Sequence, residues 1–310
     1  MRSATEVAAA LRTAVATTVR GKPEAVDLSI ATLLAGGHLL VEDLPGTGKT
    51  LLARSLAAGI GGRFGRVQCT PDLLPSDITG TSVFRPDQGD WQFRPGPLFA
   101  NIVLVDEVNR ASPRTQAALL QPMEEHQVTV DGSTWSLPTP FFCIATQNPF
   151  GQVGTFPLPE SQLDRFASTL SLGLPDRASE REIVTGVGGA DVLPRVQPVT
   201  TPDELAAAIA ATASVHAADP VVDYLLDLVQ ATRTDPRFSH GVSPRVSTGL
   251  MHLARAHAVV AGRTYVTPDD VQAVFVGACA HRVLVEGRVD TGAAATVLRD
   301  VLARVAVPRP

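Results

Sequence analysis

The first 175 residues switch between two hydrophobic rhythms. Residues 5–20 and 23–35 carry aliphatic residues at helical spacing, with Pro23 suited to a first turn and Gly36 to a stop. Short apolar runs follow: "HLLVE" (38–42), "RFGRVQC" (63–69), "NIVLVDE" (101–107), "FFCIATQN" (141–148) and "STLSLGL" (168–174). The run at 101–107 is almost unbroken, as expected of a strand covered on both faces of a parallel sheet. Helical patterns, "KTLLARSLAAGI" (49–60) and a segment from Ser112-Pro113 to about Gln127, lie between them. Strands alternating with helices predict a doubly wound α/β domain with a parallel five-stranded sheet.

Two alternating stretches interrupt that order. Residues 81–96 turn near Asp87-Gln88-Gly89-Asp90, and residues 127–138 turn at Asp131-Gly132. Both predict hairpins, either decorations or inserted elements; their similar size favours insertion. Pro122 in "LLQPMEEHQ" is expected to kink its helix or end it early.

After Pro175 strand patterns disappear. Thr201-Pro202-Asp203-Glu204 and Thr267-Pro268-Asp269-Asp270 each open an Ala/Val/Leu helix with a cap, a first-turn proline and acids behind it. Ser243-Pro244 and Asp290 look like further starts. The expected organisation is an α/β domain over residues 1–175 and an all-helical domain of four or five helices over residues 176–310.

Composition narrows the function classes. Of 310 residues, 45% are hydrophobic but only 5% aromatic, so the core must be aliphatic. The net charge of −5 gives no reason to expect a polyanion as default partner. Cys69, Cys143 and Cys279 are far apart and read as reduced, buried residues. The seven histidines show no metal-ligand spacing. There is no signal-peptide pattern, and no apolar run approaches the roughly 20 residues of a membrane helix. A soluble, cytoplasmic protein is the expectation.

The chemistry concentrates in "VEDLPGTGKTLLARSL" (41–56). A phosphate loop needs converging backbone N–H groups at a helix N-terminus, a lysine for the β/γ-phosphates and a hydroxyl for Mg²⁺. Gly46 and Gly48 allow the tight path, and Lys49 and Thr50 supply the side chains. The strict pattern wants glycine at position 43, where Asp43 stands, so an ordinary strand-turn-helix corner stays possible on these residues alone. A second group argues against it. Asp106 and Glu107 end a buried apolar strand, where charge is costly without a task. Asp106 is expected to hold Mg²⁺ through water, and Glu107 to orient and polarise the attacking water. Asn148, ending the next strand, could hold that water near the γ-phosphate.

With these residues and the text linking them, the chain resembles the MoxR family of AAA+ ATPases. The matching text is "AGGHLLVEDLPGTGKT", "VQCTPDLLPSDITGT", "FRPGPLFANIVLVDEVNRASPRTQAALLQPMEEHQVTVDG", "IATQNP" and "GTFPLPESQLDRF", with "SPR" (243–245) and "VTPDDV" (266–271) beyond it. The resemblance spans roughly residues 15 to 285 and is looser in the helical part. It implies an AAA+ P-loop NTPase domain with two inserted hairpins and a helical lid. The nucleotide loop would run through Leu44, Pro45, Gly46, Thr47, Gly48, Lys49, Thr50 and Leu51, with Thr50 and Asp106 for the metal. Asp43 becomes a family variant. Asn148 matches the first sensor, Arg165 the arginine finger serving a neighbouring subunit, and Arg245 the second sensor. Val19-Arg20-Gly21-Lys22 stands at a turn near the adenine, where Lys22 departs from the usual glutamine.

The resemblance further implies ATP and Mg²⁺ as cofactors and a homo-oligomer, most plausibly a hexameric ring. ATP hydrolysis would drive chaperone-like remodelling, activation or cofactor insertion in partner proteins, often ones with a von Willebrand factor A domain. A chelatase-type motor subunit and a nucleic-acid-associated motor are the alternatives, the latter disfavoured by charge. Little length remains for a separate client domain, so the ring itself or a second protein is expected to grip the client. Trp91, Phe93 and Trp135 on the hairpins either anchor a partner or pack the hairpins onto the domain.

Overall fold

The computed structural model describes residues 2–148, 154–187, 189–285 and 289–308. It opens with two helices, α1 (Ala4–Ala16) and α2 (Pro23–Leu34). Ser3 and Glu6 form a capping box at the start of α1, and Pro23 opens α2. The chain continues through β1 (Leu39–Glu42), α3 (Lys49–Gly59), β2 (Phe64–Gln68), α4 (Pro75–Thr79), β3 (Gly80–Arg85) and β4 (Asp90–Pro95). Then come β5 (Ile102–Asp106), α5 (Pro113–Glu125), β6 (Gln127–Val130), β7 (Ser133–Ser136), β8 (Phe142–Gln147), α6 (Glu160–Leu163) and β9 (Ser168–Leu170).

Five of these strands form one parallel sheet in the order β2-β5-β8-β1-β9. Strand alternation sends neighbouring side chains to opposite faces. Leu39, Val41, Ile102, Leu104 and Ile144 join a core with α1, α2 and α3, while Leu40, Val103, Val105 and Ala145 join one with α5. Both faces are therefore covered, which is why these strands read as unbroken apolar runs. Their carboxyl ends bring Glu42, Gln68, Asp106 and Gln147 to one rim, with Glu42 opposite Gln147 and Gln68 opposite Asp106. Ligands of open α/β sheets bind at this rim.

The two hairpins form separate antiparallel ribbons, β3–β4 and β6–β7. Asp131 and Gly132 turn the second through two left-handed residues, as a tight two-residue turn requires. The hairpins lean on each other: Phe93 stacks on Trp135 with ring centres 4.6 Å apart, and Phe99 meets Phe93 edge-on at 5.4 Å. Phe93 and Trp135 thus hold the ribbons together, while Trp91 stays 66% exposed beside Phe84.

Beyond Pro175 lie α7 (Arg177–Val184), α8 (Pro202–Ala213), α9 (Asp219–Thr234), β10 (Phe238–His240), α10 (Pro244–Val260), α11 (Pro268–Cys279), β11 (Leu284–Val285) and α12 (Thr291–Arg304). Helices α9 to α12 share a core built on Tyr224, Leu228, Leu250, Leu253, Phe275 and Leu298. The first core also takes Leu205 and Ala208 of α8 and Ala256 and Val259 of α10, so α1 and α2 are packed by both parts of the chain.

Three expectations need correction. The described part beyond Pro175 holds six α-helices rather than four or five: α7 is short, and α9 begins at Ala218-Asp219 without a side-chain cap. It is also not purely helical, because β10 and β11 pair as a small antiparallel ribbon. Finally, α5 runs past Pro122 to Glu125 and ends on a left-handed His126, whose N–H bonds the Pro122 carbonyl. Pro122 is buried and Met123 packs in the core under the sheet, and this packing outweighs the one helical hydrogen bond that proline removes.

Candidate functional site

The rim of the sheet opens into a cavity of about 560 Å³. Its floor is the β1–α3 corner. Gly46 and Gly48 have φ of 85° and 98°, and a Cβ on either would meet nothing within 4 Å. Glycine is therefore required by backbone conformation, not by crowding, and the space above the loop is open. Helix α3 starts at Lys49 with Gly48 as its N-cap and no side-chain cap, so no side chain claims its first N–H groups. Those groups and the helix dipole suit an anion.

Pro45, Thr47, Lys49, Thr50 and Leu51 line the cavity with the two glycines. Leu44 does not; it is exposed, and its carbonyl accepts from Lys49 Nζ at 2.9 Å and Thr47 Oγ1 at 3.2 Å. Lys49 Nζ also reaches the Asp43 carbonyl at 2.9 Å.

Asp43 is buried, and its role is visible. Oδ2 accepts the backbone N–H groups of Leu172 at 2.6 Å and Gly173 at 2.9 Å. The carboxylate ties the root of the loop to the chain leaving β9. A glycine could not make this link.

Asp106, Glu107 and Asn148 line the opposite wall. Asp106 is buried, with Oδ1 accepting the Thr146 hydroxyl at 3.1 Å. Its Oδ2 takes two N–H groups of Arg66, Nε at 3.1 Å and Nη2 at 2.7 Å. Glu107 adopts a left-handed φ of 56°, uncommon for a residue with a Cβ and costing on the order of 1–3 kcal/mol. Thr146 Oγ1 accepts its backbone N–H at 2.9 Å and holds that turn. The Glu107 carboxylate accepts from Arg110 Nη1 at 3.0 Å. Thr146 therefore fixes both acids through one hydroxyl. Sequence reasoning passed over Thr146 and Arg66, although Thr146 stands two positions before Asn148 and Arg66 is the only cation on β2.

Toward its other end the cavity becomes apolar, lined by Val19, Pro175, Ile183, Ala190 and Leu193, with Arg20 and Lys22 at its edge. Lys22 Nζ donates to the Leu174 carbonyl at 2.5 Å, which gives that residue a structural partner across the site.

Arg165 and Arg245 do not line the cavity. They meet at Glu124 of α5, where Arg245 Nη2 lies 3.2 Å from Oε1 and Arg165 Nη2 3.6 Å from Oε2. Arg245 also approaches Asp164 at 3.7 Å, whose other oxygen is held by the mostly buried Arg282. Cys69, Cys143 and Cys279 are free and buried. Burial pushes the Cys69 and Cys279 thiols up to about 12, and Asp106 and Glu107 add to the shift at Cys69. None is a thiolate nucleophile at neutral pH.

The donor set fits a metal-bound nucleotide. Lys49 and the loop amides suit phosphate, and the Thr50 hydroxyl and Asp106 carboxylate are the hard oxygen donors that Mg²⁺ takes.

Comparison with known proteins agrees. Residues 38–168 match the model of the ATPase family associated with various cellular activities, and residues 230–301 that of the AAA lid domain. The Bacillus subtilis protein YeaC is 43% identical over 93% of this chain and 91% of its own. The chaperone MoxR1 of Mycobacterium tuberculosis is 38% identical over 93% of this chain and 79% of its own. The protein MoxR of Paracoccus denitrificans is 30% identical over 86% and 85%. A crystal structure of a candidate ATPase from Cytophaga hutchinsonii superposes with a TM-score of 0.86 at 32% identity, covering 96% of this chain and 94% of that one. No helix among the described residues is long and apolar enough to cross a membrane. Fold, cavity and relatives lead to one assignment: the chain belongs to the MoxR family of AAA+ ATPases.

Proposed function

We propose that this chain binds Mg²⁺·ATP in the cavity above α3 and hydrolyses it to ADP and phosphate. The observation that carries this reading is the convergence of Lys49, Thr50, Asp106, Glu107 and Asn148 on one cavity floored by two left-handed glycines. Lys49 and the first amides of α3 bind and orient the β- and γ-phosphates. Thr50 and Asp106 would hold Mg²⁺, which when bound neutralises charge on the phosphate oxygens. Glu107 accepts a hydrogen bond from the attacking water and aims it at the γ-phosphorus; Asn148 completes that water's placement. The apolar end beside Val19, Ile183 and Leu193 takes the adenine.

Arg165 and Arg245 lie outside their own chain's cavity and share one carboxylate. This supports a role in trans, in which both reach the phosphates of a neighbouring subunit in a hexameric ring. An arginine supplied this way is worth roughly 10³–10⁵ in rate in related chemistry.

Turnover then drives remodelling, activation or cofactor insertion in a partner protein. A relative is named a chaperone, which supports this class of role. The exposed Trp91–Phe84 pair is the apolar anchor left for a partner, since Phe93 and Trp135 are used on each other. A protein carrying a von Willebrand factor A domain is the partner class we favour. A nucleic-acid motor is less well supported, because Arg85 on the first hairpin is paired with Asp87 and the second hairpin carries no Lys or Arg between Gln127 and Pro138.

Phosphate release tests the core of the reading. Wild-type protein should release phosphate from ATP only with Mg²⁺, and Lys49→Ala should do neither binding nor turnover. Turnover that survives Lys49→Ala would assign the activity elsewhere. For the partner, titration of a von Willebrand factor A protein encoded beside this one should show tighter binding in ATP than in ADP. Equal affinity in both would remove nucleotide control of the partner.

A further inference from the structure

Arg66 is a cation that the nucleotide reading leaves without a task. It stands on β2, an edge strand of the sheet, and lines the same cavity as the phosphate loop. Both its Nε and Nη2 donate to Asp106 Oδ2, at 3.1 and 2.7 Å, and Nη2 also reaches Gln68 Oε1 at 3.2 Å. The other Asp106 oxygen is taken by Thr146. Both oxygens of the buried carboxylate expected to hold the metal are thus engaged within the chain, Oδ2 by two guanidinium N–H groups, and its counterion is an arginine.

From this geometry we propose that Arg66 is an exchange cation: it neutralises Asp106 until Mg²⁺·ATP arrives, then leaves the carboxylate to the metal and moves onto the phosphates. The proposal rests on the nucleotide reading of the cavity. A carboxylate oxygen that accepts two guanidinium N–H groups cannot also serve a metal ion or its bound water without giving one up. A guanidinium displaced within this cavity finds its preferred partner nearby, because it pairs phosphate oxygens through two N–H groups as it does carboxylates. The side chain is free to make the move: Arg66 is half exposed, whereas Asp106 is held by Thr146 and its strand. Two consequences follow. Mg²⁺ alone binds poorly, since it must evict Arg66 without offering it a phosphate. ATP and Mg²⁺ bind cooperatively, since each removes an obstacle to the other.

The test compares wild type, Arg66→Gln and Arg66→Lys in two titrations. One follows a fluorescent ATP analogue by anisotropy, in EDTA and in Mg²⁺. The other follows Mg²⁺ alone by calorimetry. Arg66→Gln should bind Mg²⁺ alone about tenfold more tightly and the metal-free analogue about tenfold more weakly, the scale of one charge-assisted hydrogen bond. Arg66→Lys keeps the charge and should hold Mg²⁺ affinity near wild type. Thermal unfolding of all three checks folding. Mg²⁺ affinity of Arg66→Gln within about twofold of wild type overturns the exchange, and so does equal Mg²⁺ binding by Arg66→Gln and Arg66→Lys. Failure of wild type to bind the analogue in either condition would instead remove the nucleotide reading, and this proposal with it.

Discussion

Asp43 Oδ2 accepts the backbone N–H of Leu172 at 2.6 Å, fastening the root of the candidate phosphate loop to the strand exit that leads into the lid helices. The carboxylate occupies the place where the general phosphate-loop pattern has glycine. Replacing it would strand the buried N–H of Leu172 and the partly buried N–H of Gly173. Asp43→Gly, although it restores the general pattern, should therefore lower stability by about 1–3 kcal/mol. Urea unfolding measures this, and a variant as stable as wild type would contradict the link.

Thr146 offers a sharper functional test. Its hydroxyl donates to Asp106 and accepts from the Glu107 backbone. Thr146→Val keeps the shape and removes both bonds. The expected result is a kcat lower by roughly 10–100-fold with KM for ATP little changed, and recovery in Thr146→Ser. A fall confined to KM would mean that Thr146 shapes binding and not the placement of the acids.

The shared position of Arg165 and Arg245 on Glu124 predicts complementation between subunits. Arg165→Ala and Lys49→Ala should each be inactive alone. Mixed, they should regain activity, because an intact Arg165 from one subunit can serve an intact loop in another. Absence of rescue in demonstrated mixed assemblies would argue against action in trans.

Two buried histidines make the fold sensitive to mild acid. His38 donates from Nε2 to the Met123 carbonyl and accepts the Cys143 N–H at Nδ1, and burial pushes its pKa down to about 4. Burial pushes His281, bonded to the Phe166 carbonyl, down to about 3. Unfolded histidine takes up its proton near pH 6.5. Below that the unfolded state binds more protons, so stability present above about pH 6.5 is lost as the pH falls toward 4. The loss by pH 5 should be about 2 kcal/mol per histidine. Urea midpoints at pH 7.5 and pH 5 check it; His38→Gln should flatten the dependence, and an unchanged slope would contradict the assignment.

What was legible in the sequence follows from which forces act locally. The five sheet strands, the hairpin at Asp131-Gly132 and the helix starts at Thr201 and Thr267 read directly, because periodicity, turn residues and capping boxes are near-neighbour effects. That Lys49, Thr50, Asp106 and Glu107 line one cavity could be expected because charge and glycine at the end of an apolar run have few structural explanations. The partners of Asp43, 129 residues away at Leu172, were not. Nor was the meeting of Arg66 with Asp106, since strand alternation says only which way a side chain points. The continuation of α5 past Pro122 was not legible either: propensity alone would end the helix there, yet it runs to Glu125 with Pro122 and Met123 buried. The β10–β11 ribbon pairs two- and three-residue strands, too short for any pattern to declare itself.

The most direct measurement of the central claim is ATP retention by Glu107→Gln. The loop, Thr50 and Asp106 remain intact in this variant, and only the group that aims the water changes. It should bind ATP as tightly as wild type, keep it unhydrolysed through isolation of the complex in Mg²⁺, and show turnover at least about tenfold slower. Hydrolysis by Glu107→Gln at the wild-type rate would contradict the account, because Glu107 would then not be the group that aims the attacking water.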